Sequence, residues 1–185
     1  MPVLIDNFHW MSWNVLLAVL PIIFSYLSIR YPKRFVGFIF FILWFLFFPN
    51  TIYLVTDLQY LPGQLAGSNL SLVLLLIFQY FILALIGIFT YFYALKPMIG
   101  RLKNKSMRNN IVFIFNFLVA YAVVLGKVQR AESWDIIFNF NRLINEIVRS
   151  FSVTNTVVFI VLFGIFINAI WFFGREKVKD PPFHL

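Results

Sequence analysis

Two short polar strings carry nearly all the chemistry available to this sequence. The first closes on an acid and contains Pro49, Asn50, Thr51, Tyr53, Thr56 and Asp57; the second combines bases, acids and an indole in Lys127, Arg130, Glu132, Ser133, Trp134 and Asp135. A carboxylate beside a lysine or arginine forms a charge-assisted pair, so Asp57 is expected to pair with Lys127 or Arg130. Proline in a helix withdraws one backbone donor, which leaves carbonyl groups for Asn50, Thr51 or a water to use. The candidate ligand-binding or structural cluster is therefore Asn50, Thr56, Asp57, Lys127, Arg130, Trp134 and Asp135. Such a cluster can recognise a lipid headgroup, a small ligand or a protein partner. Asp57 and Asp135 can in principle act as acid and base on an extracytoplasmic lipid or wall precursor, with a cation stabilising negative charge. A purely structural ion pair is the simpler use of the same groups.

Other catalytic and cofactor signatures are missing from the sequence. Cysteine does not occur, which removes thiol nucleophiles and thiolate metal sites. His9 and His184 lie near opposite termini and, on the topology that the charges predict, at opposite membrane faces, so no shared metal site or histidine-based triad is expected from them. Pro62-Gly63 and Ala66-Gly67-Ser68 read as turns and not as a phosphate cradle. No metal and no cofactor are expected, and the balance leans away from an enzyme.

The elements that must position these residues are set by hydrophobicity. Of the 185 residues 62% are hydrophobic, 25 are phenylalanine and only 12% are charged, and the mean hydropathy is +0.88. These values lie outside the range of water-soluble domains. A spanning helix needs about 20 largely apolar residues, and five stretches qualify, at 10–29, 35–55, 70–95, 111–128 and 153–173. The fourth carries Lys127 at one end, where a long aliphatic stem can snorkel to the interface. The third exceeds a perpendicular crossing and implies tilt or an added turn. Asp6 is the only charge before the first stretch and no small-residue cleavage site follows it, so that stretch is expected to stay as a helix. The expected fold is an all-α membrane protein, one integral membrane domain over 1–185.

Charge in the connections predicts orientation. Arg30, Lys33 and Arg34 follow the first span, Lys96, Arg101, Lys103, Lys105 and Arg108 follow the third, and Arg175, Lys177 and Lys179 follow the fifth. The alternate connections hold Lys127, Arg130, Arg142 and Arg149, offset by acids. The positive-inside bias then predicts an extracytoplasmic N-terminus and a cytoplasmic C-terminus in a cell membrane. Both polar strings fall on the outer side. The net charge of +8 calls for membrane lipids and not for nucleic acid, because the basic loop is short and held between two spans. A protein partner on that loop is the alternative.

One non-spanning segment has a pattern of its own. Across 135–152, Ile136, Ile137, Phe140, Leu143, Ile144, Ile147, Val148 and Phe151 recur at helical spacing, with polar residues between them. This predicts an amphipathic interfacial helix anchored by Trp134, either lying on the surface or covering a cavity between spans.

The strings PNTIYLVTDL and LGKVQRAESWD, with the hydropathy profile, resemble a family of small bacterial integral membrane proteins, domain of unknown function 1361. Pro49, Asn50, Tyr53, Thr56, Asp57, Gly126, Arg130, Ser133, Trp134 and Asp135 fit the positions that the resemblance implies. Lys127 stands where arginine is expected, and Glu132 where asparagine is expected. Lysine lacks the planar fork of arginine, which weakens bidentate recognition of carboxylate or phosphate at that point. The resemblance implies no activity. Binding or accessory function is the leading reading, followed by a transport component and then a membrane enzyme. Transport is disfavoured because Gln79, Asn116 and Asn168 are the only polar candidates deep in the spans.

Overall fold

The computed structural model describes residues 2–32, 35–128 and 154–176. Helix α1 is Pro2–Arg30, α2 is Phe35–Phe47 and α3 is Pro49–Thr56, followed by a 3-10 turn at Asp57–Tyr60, α4 at Leu61–Leu65 and α5 at Leu70–Ile99. Among the described residues α6 at Lys105–Val128 and α7 at Thr154–Gly174 follow. Five helical stretches among the described residues are long and apolar enough to cross a membrane: Pro2–Arg30, Phe35–Leu65, Leu70–Ile99, Lys105–Lys127 and Asn155–Gly174. This is the architecture of a multi-pass membrane protein. The predicted interfacial helix at 135–152 lies outside the described residues.

The chain divides into two compact units between Met98 and Ile99. In the first, α1 packs along α2 and α3. Its buried seam runs through Asn7, Met11, Ala18, Pro21, Ser25 and Ser28 at helical intervals. Small residues on such a seam let backbones approach where lipid provides no hydrophobic drive between helices. The opposite face presents Ile5, Phe8, Leu16, Val19 and Ile23, apolar side chains suited to acyl chains. Helix α5 closes the unit. The Trp44 indole donates to the carbonyl of Ala94 at 2.9 Å, and Phe48, fully buried, has ring centroids 5.2 Å from Trp44 and 5.6 Å from Tyr91. Gly87 of α5 faces the backbone of α3; a Cβ there would lie 2.9 Å from the Thr51 carbonyl oxygen and 3.0 Å from Leu54 Cβ.

Several predicted boundaries shift. Helix α1 begins at Pro2, well before the first apolar stretch, and carries Asp6, Asn7 and His9 within it. The second span does not unwind at its proline. Phe48 keeps helical dihedral angles (φ −54°, ψ −39°) with Pro49 in the first turn of α3, a position where the missing N–H costs little. The Thr51 amide reaches the Phe48 carbonyl at 3.0 Å. The side chains of Asn50 and Thr51 bond to carbonyls of the preceding turn: Asn50 Nδ2 donates to Phe47 O at 3.1 Å and Thr51 Oγ1 to Phe48 O at 2.8 Å. Pro62-Gly63 belongs to α4 with the proline in its first turn, and not to a turn. The turn comes later, at Gly67, whose φ of +77° suits glycine. With 30 residues, α5 is roughly 45 Å long against a hydrocarbon core of about 30 Å, so it tilts or protrudes.

In the second unit α6 packs against α7. Asn116 Nδ2 donates to Asn168 Oδ1 at 3.0 Å, and Asn168 Nδ2 donates to the Gly164 carbonyl at 2.9 Å. Just past α7, Arg175 donates to Asn109 Oδ1 at 3.0 Å and lies 4.9 Å from the Phe172 ring centroid.

Candidate functional site

The end of the second span tightens before it turns. Thr56 Oγ1 donates to the carbonyl of Tyr53 at 2.6 Å, and the backbone N–H of Asp57 reaches the carbonyls of Leu54 and Val55. The chain then winds through the 3-10 turn into α4. Asp57 opens that turn with only 1% of its surface exposed. A carboxyl group this deep requires polar partners. Asn14 of α1 supplies one, its Nδ2 donating to Asp57 Oδ2 at 3.2 Å.

Asn7, Trp10 and Asn14 share one face of α1 by their spacing. Around them is a cavity of about 490 Å³ lined by Trp10, Asn14, Tyr53, Asp57, Tyr60, Gly63 and Gln64. Trp10 and Tyr60 meet edge to face, with centroids 5.9 Å apart at 75°. Beside the cavity is a layer of amides. Asn7 and Gln64 exchange two hydrogen bonds, Asn7 Nδ2 to Gln64 Oε1 at 2.7 Å and Gln64 Nε2 to Asn7 Oδ1 at 2.9 Å. Asn7 Nδ2 also reaches Gln79 Oε1 at 3.2 Å, and Gln79 Nε2 donates to the Leu4 carbonyl at 3.3 Å. The Trp10 indole donates to Asn7 Oδ1 at 3.2 Å. This network ties α1, α4 and α5 together. The buried Tyr80 hydroxyl makes no well-formed hydrogen bond; Asp57, Gln64 and Tyr60 are the polar groups close enough to act on it.

Asp57 lines the cavity, whereas Asn50 and Thr56 direct their side chains to carbonyls within their own span. Lys127 stands at the end of α6, in the second unit. Arg130, Trp134 and Asp135 lie outside the described residues, and so does the cluster's shared site with Asp57. His9 is exposed and is not part of the cavity lining. Sequence reasoning missed Trp10, Asn14, Tyr60 and Gln64 as site residues, and read Gly63 only as part of a turn. The available signal was the helical spacing of Asn7, Trp10 and Asn14, which becomes visible once α1 is extended to Pro2.

Among the described residues the lining offers one carboxyl group, amides and aromatic rings, with no serine, cysteine or histidine to act as a nucleophile or its base. No group of three or more metal-ligating side chains occurs among the described residues.

A family described as "Protein of unknown function (DUF1361)" matches residues 13–170. No curated protein and no solved structure matches the chain.

Proposed function

The chain belongs to that family, and from this premise we propose that it binds a lipid headgroup or small ligand in the cavity between α1 and the end of the second span. The observation that carries the reading is a cavity of about 490 Å³ with the buried acid Asp57 in its wall. A concave site with a few convergent polar groups among aromatic side chains is the usual form of a small-molecule site. The distribution of basic residues supports an orientation with this cavity at the extracytoplasmic face of a cell membrane. Asp57 holds the ligand, Asn14 fixes the carboxylate, and Trp10, Tyr53 and Tyr60 supply apolar contact.

Native mass spectrometry of the full chain released from lipid nanodiscs tests the reading. A retained molecule that disappears in Trp10→Ala and Asp57→Asn, with both variants still folded, supports it. Retention unchanged in both variants refutes it.

A further inference from the structure

The two helices of the second unit run antiparallel, as three contacts in order along them show. Arg175 bonds to Asn109 and Asn168 to Asn116, and Gly164 faces the Phe117 ring so closely that a Cβ would clash with it. The start of α6 and the end of α7 therefore meet at one end of the unit, and each brings a half-buried arginine there, Arg108 and Arg175. Arg175 is held in place: Nη1 donates to Asn109 Oδ1 at 3.0 Å, and the guanidinium carbon lies 4.9 Å from the Phe172 ring centroid. Neither an amide nor a ring neutralises its charge. The Nε atoms of Arg108 and Arg175 are both buried with no hydrogen-bond partner among the described residues, and a buried donor of that kind is costly until an acceptor reaches it.

The sequence around this end cannot supply enough acid. Residues 99–108 hold four bases and no acid, and residues 175–180 hold three bases and two acids, so pairing within these segments leaves positive charge in surplus. Guanidinium groups match the geometry of phosphate oxygens, which accept from the planar fork of N–H donors. Apolar side chains open to the surroundings adjoin the charges: Phe172 is 60% exposed, Phe173 70% and Met107 48%. A soluble phosphate would leave that surface bare, whereas a lipid brings a phosphate and acyl chains together. Basic pockets between spanning helices are a recurrent form of anionic-lipid site.

We propose that Arg108 and Arg175, the latter positioned by Asn109, form a discrete site for the phosphate of an anionic lipid whose acyl chains cover Phe172 and Phe173. The site belongs to the second unit and does not rest on the reading of the cavity.

The test places the full chain in phosphatidylcholine nanodiscs with a rising share of phosphatidylglycerol and counts the lipid retained on release by native mass spectrometry. Phosphatidylglycerol should be retained saturably in preference to phosphatidylcholine. Arg175→Gln and Arg108→Gln should each weaken that retention at least about tenfold, the loss of one charge-assisted hydrogen bond. Arg108→Gln breaks no interhelical hydrogen bond among the described residues, so it decides the matter if the Arg175 variant does not fold. Arg175→Lys keeps the charge without the fork and should restore only part of the retention. Lys103→Gln removes the same charge from the exposed loop and should change nothing. Equal losses in Lys103→Gln and Arg108→Gln would reduce the effect to general attraction by a basic surface and overturn the discrete site. Equal retention of the two lipids overturns it as well. A saturable rise in thermal midpoint with glycerol phosphate in pure phosphatidylcholine nanodiscs, abolished by Arg108→Gln, would assign the site to a soluble phosphate and overturn the lipid.

Discussion

Replacing Gly87 by alanine should destabilise the first unit through one identifiable contact. The added Cβ would sit 2.9 Å from the Thr51 carbonyl oxygen, 3.0 Å from Leu54 Cβ and 3.4 Å from Val55 Cγ2. Carbon atoms pack at about 3.5–4.0 Å, so α3 and α5 must separate by roughly half an ångström, and the first obstacle is backbone. Overpacking of this kind costs about 1–3 kcal/mol. Alanine returns about 1 kcal/mol of helix propensity, which leaves a net loss of about 1 kcal/mol, or roughly fivefold in the unfolding equilibrium. Gly63→Ala isolates the steric part. Gly63 is also helical, but nothing lies within 4 Å of the Cβ it would gain. It should be neutral or slightly stabilising, so that the gap between the two variants approaches the full packing cost. Unfolding titrations in mixed detergent, followed by circular dichroism, measure both. Because Asp57 caps the C-terminal end of α3, Gly87→Ala should also weaken ligand binding. Equal stability of Gly87→Ala and Gly63→Ala would refute the close approach of α3 to α5 and the positioning of Asp57 that depends on it.

Asn14→Leu should lower stability by about 1–3 kcal/mol, since a buried carboxyl group loses a hydrogen-bond donor; an unchanged unfolding midpoint would show that Asn14 does not support Asp57. In the second unit, a double-mutant cycle of Asn116→Leu with Asn168→Leu should give a coupling of about 0.6 kcal/mol, the average for interhelical hydrogen bonds in membranes, and no more than about 1.7 kcal/mol. Zero coupling would remove their bond from the account of α6 and α7. The chain contains no cysteine, so single cysteines report topology cleanly: an impermeant thiol reagent added outside cells should modify Tyr60→Cys and spare Lys103→Cys. The reverse pattern would invert the proposed orientation.

The five spans were legible because their signal is coarse: a run of about 20 apolar residues has few other uses. The first helix shows where that signal fails. Asp6, Asn7 and His9 dilute the hydropathy of its N-terminal turns, yet Asn7 is only 2% exposed. Its burial is made possible by Gln64 and Gln79, partners remote in sequence that no local window contains. Pro62-Gly63 failed for the opposite reason. Proline and glycine together signal a turn, but the pair sits at the start of α4, where proline is tolerated. Within the PNTIYLVTDL string the sequence pairs Asp57 with a base, Lys127 or Arg130; in the structure the Asn14 amide donates to it. Asn50 and Thr56 looked equivalent to it, although short polar side chains can satisfy themselves on nearby carbonyls, and both do so.

That difference in how polar groups are satisfied explains how the cavity keeps its form. Asn50, Thr51 and Thr56 bond within their own span, so they stabilise a helix without fixing its neighbours. Asn7, Asn14, Gln64 and Gln79 instead bond between elements. Where lipid supplies no hydrophobic drive, such bonds and close backbone approach set which helix faces meet. The reciprocal amide pair of Asn7 and Gln64 holds α4 against α1, and Asn14 holds the start of the 3-10 turn against the same helix. The cavity lies between these two attachments. Its walls are therefore fixed by groups that are largely occupied with one another.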